Sequence, residues 1–298
     1  MRNDQVLLLG GFGFIGSALA NRLRKDEVPV QVIGRADAHR LEQVLPNCST
    51  VVHLASATTP GSSSGQPALE QFNVDLTRRL VDCLKTQPST HLIYFSSGGT
   101  VYGNPAQLPV TEEDPIAPLS PYGVAKASQE SICRELQAIC HAVTILRPSN
   151  AYGPGQSLRD GFGLIRTMLE HAHKGTPLEI WGDGENVRDF VYIDDIVEAT
   201  LRLIQLPQDS GTYNLGCGIG HSINEVKNLI EVACNAPLKA IHRPTRGTDV
   251  RSVVLDISRL NRRIEWTPDV GLMQGIVFTL DWLQRQPVGS IWFTPKDQ

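Results

Sequence analysis

Through the first half of the chain, short apolar runs alternate with stretches in which apolar residues recur every three or four positions. Val6–Gly10 is apolar, Phe14–Lys25 has helical spacing, Val30–Ile33 is apolar again, and Thr50–Ala55 is rich in β-formers. This predicts a strand, a helix and two further strands. A Gly, Ser and Pro loop over 58–67 then leads into a helix over about Ala68–Lys85, and His91–Ser96 reads as a strand. Pro121 suits the first turn of a helix running to about Ala138, and Val143–Leu146 reads as the next strand. Strands separated by helices at this spacing imply βαβ units and a parallel sheet covered on both faces, so the expected class is α/β and doubly wound.

From about Ala151 the pattern changes. Loops such as Tyr152-Gly153-Pro154-Gly155 and Trp181-Gly182-Asp183-Gly184 separate shorter elements and predict a smaller C-terminal α/β lobe. Val187–Ile193 with a helix over Asp194–Leu206 reads as one more βα unit, expected to return to the main sheet. The expected division is 1–150 plus about 187–215 for the first lobe, and about 151–186 with 216–298 for the second. Val288–Gln298 lacks periodicity and reads as a loosely docked tail.

Composition narrows the function classes. With 41% hydrophobic and 19% charged residues among 298, the chain reads as soluble and globular. A net charge of −4 gives no field to recruit nucleic acid or an anionic membrane. The apolar stretch at Gln5–Leu9 is too short for a signal segment or a membrane span, which makes a cytoplasmic location the expectation. Six cysteines (Cys48, Cys83, Cys133, Cys140, Cys217 and Cys234) show no C-x-x-C spacing and read as reduced, mostly core thiols. His171 and His173 stand at i and i+2 of a helix and point apart, so no metal site is expected.

Two motifs carry chemistry. Gly10-Gly11-Phe12-Gly13-Phe14-Ile15-Gly16 lies between the first strand and the first helix. Small residues there let backbone approach a pyrophosphate, whose charge the helix N-terminus receives. Tyr122 and Lys126 stand four apart on one helical face, where a cation is expected to lower the phenol's pKa and suit it to proton transfer. A surface Tyr–Lys pair would have the same spacing; the position three strands after the glycine turn is what favours the catalytic reading.

With these motifs in place, the chain resembles the extended short-chain dehydrogenase/reductase superfamily, in its nucleotide-sugar epimerase/dehydratase branch typified by UDP-galactose 4-epimerase. The resemblance runs to about Trp282. It includes His53-Leu54-Ala55-Ser56-Ala57, the segment Phe95 to Gly103, Leu146 to Gly155, Val187-Arg188-Asp189-Phe190-Val191 and Arg246-Gly247-Thr248-Asp249. It implies a Rossmann-like doubly wound parallel sheet that binds dinucleotide and a smaller lobe that binds a nucleotide-sugar. Gly10, Gly13, Phe14, Ile15, Gly16, Arg35, Leu54, Ala55, Ser96, Tyr122 and Lys126 are the implied cofactor contacts. Tyr122 would exchange the proton of the sugar 4-OH, and Lys126 would bond the nicotinamide ribose. Asn150, Arg188, Arg246 and Asp249 would hold the nucleotide end of the substrate. A homodimer joined through the helices near 68–85 and 121–138 is also implied.

Departures from the family pattern matter as much. The family's Ser or Thr beside the tyrosine is Gly98 here, leaving Ser97, Thr100 or a water to supply the hydroxyl. Gly99 and Thr100 stand where dehydratases and decarboxylases of the branch carry acids, which disfavours both reactions. Val253 occupies a position that limits sugar bulk in 4-epimerases and is expected to leave room for N-acetylated sugars. The second strand ends in Gly34-Arg35, where NAD-preferring relatives place an Asp; NADP therefore stays open beside NAD, with Asp37 as a substitute acid. The stretch Arg35 to Thr50 is short enough to lack a strand that helps cover adenine. The leading expectation is an NAD-dependent 4-epimerase of UDP-hexoses. An NADPH-dependent 4-ketosugar reductase and a non-catalytic dinucleotide-binding regulator are the alternatives.

Overall fold

The computed structural model describes residues 5–139, 141–159, 161–245, 247 and 249–286. Cys140, Arg246, Thr248 and the expected tail Val288–Gln298 lie outside them. In chain order the elements are β1 (Gln5–Leu9), α1 (Phe14–Lys25), β2 (Val30–Ile33), α2 (Leu41–Val44), β3 (Cys48–His53), α3 (Pro67–Leu84), β4 (His91–Phe95), α4 (Gly98–Val101), α5 (Pro121–Gln137), β5 (Val143–Pro148) and β6 (Asn150–Tyr152). There follow α6 (Leu164–Lys174), β7 (Leu178–Trp181), β8 (Val187–Tyr192), α7 (Ile193–Ile204), β9 (Gly211–Leu215), β10 (Gly220–Ser222), α8 (Ile223–Cys234), β11 (Ala240–Arg243), β12 (Ser252–Val253), α9 (Ser258–Ile264) and α10 (Leu272–Gln284).

The large sheet runs β2-β1-β3-β4-β5-β9, and every pair in it is parallel. Its period-2 alternation feeds two cores. Leu7 and Leu9 point with Val51, Tyr94 and Ile145 into a cluster under α3 and α5. Val6 and Leu8 point with Val52, Ile93 and Leu146 into a cluster under α1, α7 and α9. The chain leaves β1 toward β2 on one side and toward β3 on the other, and the direction reverses between β1 and β3. Parallel sheets form their ligand crevice at such a switch point, beyond the carboxyl ends of the strands. No strand stands between β2 and β3 among the described residues; short helical turns over 38–47 fill that stretch, so β2 is the edge of the sheet.

The Val187–Ile193 strand does not return to the large sheet. The place beside β5 is taken by β9, which pairs with it from Thr144↔Gly211 to Pro148↔Leu215. β8 instead centres a second sheet, antiparallel to β10 and parallel to β6 and β12. Its helix, α7, does pack back on the large sheet, sending Ile196, Val197 and Leu203 into the cluster that holds Leu19 and Leu23. Asp189 joins the two sheets. Buried on β8, its carboxylate accepts from the N–H groups of Cys217 (2.8 Å), Gly218 (3.0 Å) and Leu255 (3.3 Å) and from Ser149 Oγ (3.0 Å).

Candidate active site

A cleft of about 1410 Å³ runs from the glycine turn after β1, past the ends of β4 and β5, to β8 of the second sheet and to β7, which pairs with β11. At one end the turn is shaped for close backbone approach. Gly10 has φ +92°, and a Cβ on it would stand 2.5 Å from the Ala55 nitrogen; one on Gly16 would stand 2.6 Å from the Gly10 oxygen. Gly13 caps α1 with no side-chain hydrogen bond, and the first turn of α1 carries no acid. The leading N–H groups of α1 therefore face the cleft without a side-chain partner, a cradle that fits a dinucleotide's pyrophosphate. Gly10, Gly13, Phe14, Ile15, Gly16, Leu54 and Ser96 line this end; Ala55 is buried behind Gly10, and Arg35 is exposed and off the wall.

Midway, α5 presents Tyr122 and Lys126. The helix begins with Pro121, capped by Ser120 Oγ, which accepts from Gly123 N at 3.2 Å. Lys126 is 4% exposed, which for an ammonium demands compensation. It finds this in the Phe95 carbonyl oxygen, to which Nζ donates at 2.9 Å, and in the rings of Tyr94 and Tyr122, 5.2 and 5.8 Å away at their centroids. Burial lowers Lys126 to about 8. The expected lowering of the Tyr122 phenol is corrected. Its pKa is raised, first by burial and then by the Glu70 carboxylate, because Lys126 Nζ is bonded to a carbonyl and lies over the ring face rather than at the hydroxyl.

Opposite Tyr122 the wall is α4 and the residue before it. Ser97 and Thr100 both line the cleft, and Thr100 Oγ1 is buried without a hydrogen-bond partner among the described residues. Ser96 Oγ is committed to Glu130 at 2.5 Å. Gly98 could not carry the family's hydroxyl in this backbone, since a Cβ there would meet Leu255 Cδ1 at 2.7 Å and the Arg147 oxygen at 2.8 Å. Asn150 lies across from Gly99, its Nδ2 donating to the Asp189 backbone carbonyl at 2.9 Å.

Toward the second sheet, Arg188 and Asp249 line the cleft, the carboxylate partly offsetting the burial that lowers the Arg188 pKa. Arg246 is outside the described residues. Val253 is not on the wall: it is 2% exposed and packs with Val101, Tyr102, Val110 and Leu255, so it neither widens nor narrows the cleft directly. Two loops meet over the cleft, 54–66 before α3 and 153–163 before α6. Gly61 and Gly161 touch there backbone to backbone, so close that a Cβ on Gly61 would fall on the Gly161 carbonyl.

Sequence reasoning missed several groups. Arg159 and Phe12 line the cleft. Beneath it, the Glu130 carboxylate accepts from Arg147 Nε (2.9 Å) and Nη2 (2.7 Å), while Arg147 Nη1 donates to the Tyr102 hydroxyl (2.7 Å), which donates to Asn214 (2.6 Å). An arginine inside the apolar strand Val143–Pro148 was the available signal, since a buried cation needs a carboxylate.

With this geometry established, comparison with known proteins is direct. The NAD dependent epimerase/dehydratase family matches residues 6–216. UDP-glucose 4-epimerase of Mycolicibacterium smegmatis is 29% identical over 95% of this chain and 99% of its own length. dTDP-4-dehydro-6-deoxyglucose reductase of Escherichia coli is 28% identical over 92% of this chain and 96% of its own. Among solved structures, MoeE5 in complex with UDP-glucuronic acid and NAD superposes with a TM-score of 0.88 at 30% identity, covering 94% of this chain and 99% of that one. The glycine cradle, the Tyr122–Lys126 pair and the parallel sheet thus sit in a chain that belongs to the NAD dependent epimerase/dehydratase family.

Proposed function

We propose that the protein is an NAD-dependent 4-epimerase of UDP-hexoses. The observation that carries the reading is one continuous cleft with the glycine cradle at one end, Tyr122 and Lys126 at its middle, and Arg188 with Asp249 at the other. Bound in this cleft, NAD would supply reversible hydride transfer at the sugar C4. Gly10, Gly13 and the first N–H groups of α1 hold the pyrophosphate, and Lys126 holds the nicotinamide ribose. Tyr122 takes the proton of the sugar 4-OH and gives it back after the 4-keto sugar has turned over. To accept that proton Tyr122 acts as the phenolate, a form that burial disfavours and that the positive charges of Lys126 and of a bound oxidised nicotinamide would favour. Ser97 and Thr100 hydrogen-bond the same oxygen in place of the hydroxyl absent at Gly98. Arg188 engages the diphosphate through charge-assisted bonds, and Asp249 accepts from hydroxyls at the nucleotide end.

Elimination of water needs a further acid beside the tyrosine. The carboxylates on the described cleft wall are Glu170, Glu179 and Asp249. Glu170 is paired with Arg166 and Lys174, Glu179 with Arg243, and Asp249 faces Arg188. This favours redox-neutral epimerisation over dehydration. The exposed Leu69 and Phe72 on α3 and Val124 on α5 support a homodimer through those helices.

The test has two steps. Purified protein is denatured and any released nucleotide identified by mass spectrometry; near-stoichiometric NAD is expected. UDP-glucose and UDP-galactose are then supplied without added cofactor, and interconversion is expected, slowed about 10²–10⁴-fold in Tyr122→Phe. Stoichiometric consumption of NADPH with a 4-ketosugar instead would establish the reductase; interconversion unaffected in Tyr122→Phe would remove Tyr122 from the chemistry, and bound nucleotide without turnover of any of these sugars would leave only a nucleotide-binding role.

A further inference from the structure

Where β2 ends, the chain has exchanged one side chain for two. In dinucleotide-binding sheets an acid at this point bonds the adenosine ribose hydroxyls. Here that point is Gly34, and a Cβ on it would stand 3.1 and 3.3 Å from Cδ2 and Cε2 of Phe12 and 3.9 Å from Oδ2 of Asp37. The ring of Phe12 therefore lies over the bare backbone of Gly34, in space that an acidic side chain at position 34 would need. Phe12 is 72% exposed, yet it belongs to the glycine turn and lines the cleft. A phenyl ring left open to water beside a nucleotide cradle is apolar surface without a partner. Asp37 follows at the start of the helical turns, and no hydrogen bond or ion pair engages its carboxylate among the described residues. The sheet ends at β2, so no further strand among the described residues covers this side of the cleft.

We infer that Phe12 and Asp37 together form the adenosine subsite: the Phe12 ring covers the adenosine face, and Asp37, in place of an acid at position 34, receives the ribose hydroxyls. This deepens the reading of the cleft as a dinucleotide site and rests on it. The two roles are separable. A ring contributes to any adenine nucleotide, whereas a carboxylate favours free ribose hydroxyls and repels a 2′-phosphate. The subsite therefore selects NAD over NADP: Arg35 and Asp37 both stand outside the cleft wall, but it is the Asp37 carboxylate, and not the exposed Arg35, that is held beside position 34.

Isothermal titration of the full chain, freed of carried-over nucleotide, with NAD⁺, NADP⁺ and ADP-ribose tests this without recourse to turnover. Wild type is expected to bind NAD⁺ at least about tenfold more tightly than NADP⁺, from the loss of a ribose hydrogen bond and the approach of like charges. Phe12→Ala should weaken NAD⁺, NADP⁺ and ADP-ribose alike by about tenfold, the scale of one base stacked on one aromatic ring, and Phe12→Tyr should restore them. Asp37→Asn should weaken NAD⁺ and narrow its advantage over NADP⁺. Neither side chain carries core packing, so melting temperatures without nucleotide should match wild type. Unchanged affinities in Phe12→Ala, or an NADP⁺ preference in wild type, would overturn the subsite while leaving the cleft a dinucleotide site. Failure of wild type to bind any of the three would instead remove the functional reading, and the subsite with it.

Discussion

At Gly98 the absence of a side chain decides how the wall beside Tyr122 is built. The first residue of α4 is pressed between the Arg147 carbonyl and Leu255, so that β5, α4 and the segment after β12 meet without a gap. Restoring the family hydroxyl by Gly98→Ser should therefore fail to add a useful group. Overpacking of this kind costs about 1–3 kcal/mol, and urea denaturation should show a loss of that order with activity no higher than wild type. A Gly98→Ser chain as stable as wild type would mean that α4 moves freely. The sequence displayed the missing hydroxyl, but its cause was illegible there because Leu255 is distant along the chain. Thr100 was legible as a substitute; that its oxygen is buried and unpartnered was not.

Among the elements, α5 carries the chemistry on one side and its own support on the other. Tyr122 and Lys126 reach the cleft, and one turn further Glu130 is 1% exposed against Arg147, which is 2% exposed. Arg147 and the Ser96 hydroxyl hold the Glu130 carboxyl below its usual range despite burial. Removing Arg147 leaves the buried Glu130 carboxylate with Arg134 Nη2 at 2.9 Å as its remaining cation, a loss bounded by that of a fully broken buried pair, about 3–5 kcal/mol, so Arg147→Met should unfold at lower denaturant. The double variant Arg147→Met with Glu130→Leu should recover part of the loss; equal or greater damage would show that the network with Tyr102 and Ser96, rather than the pair, is what the helix needs. The existence of most elements was legible in the sequence, α1 with the observed limits Phe14–Lys25, because apolar period reports local geometry. Membership of a sheet is set by partners elsewhere. β8 reads as a strand by its own pattern, and only the occupancy of the β5 edge by β9 sends it to the second sheet.

For the whole molecule, acid stability follows from two histidines that composition alone could only count. His53 on β3 and His91 on β4 are almost fully buried, each with one ring nitrogen on a threonine hydroxyl. Burial lowers His53 to about 3, with Lys126 adding to the effect, and lowers His91 to about 4, partly offset by Asp209. Both lie below the unfolded value near 6.5, so the unfolded chain takes up protons that the fold refuses. Their contribution is complete above about pH 6.5 and is lost as pH falls, His91 alone accounting for about 3 kcal/mol by pH 4. Melting temperature should hold from pH 7.5 to about 6.5 and then fall toward pH 5; a flat profile down to pH 5 would show that neither imidazole is held neutral. The contact of Gly61 with Gly161 acts at the same scale, because it ties the loop after β3 to the loop after β6. Sequence drift at these two positions is consequently not independent. A side chain gained at 61 lands on the carbonyl of a loop encoded far downstream, so a lineage can enlarge one loop only by remaking the other in the same descent.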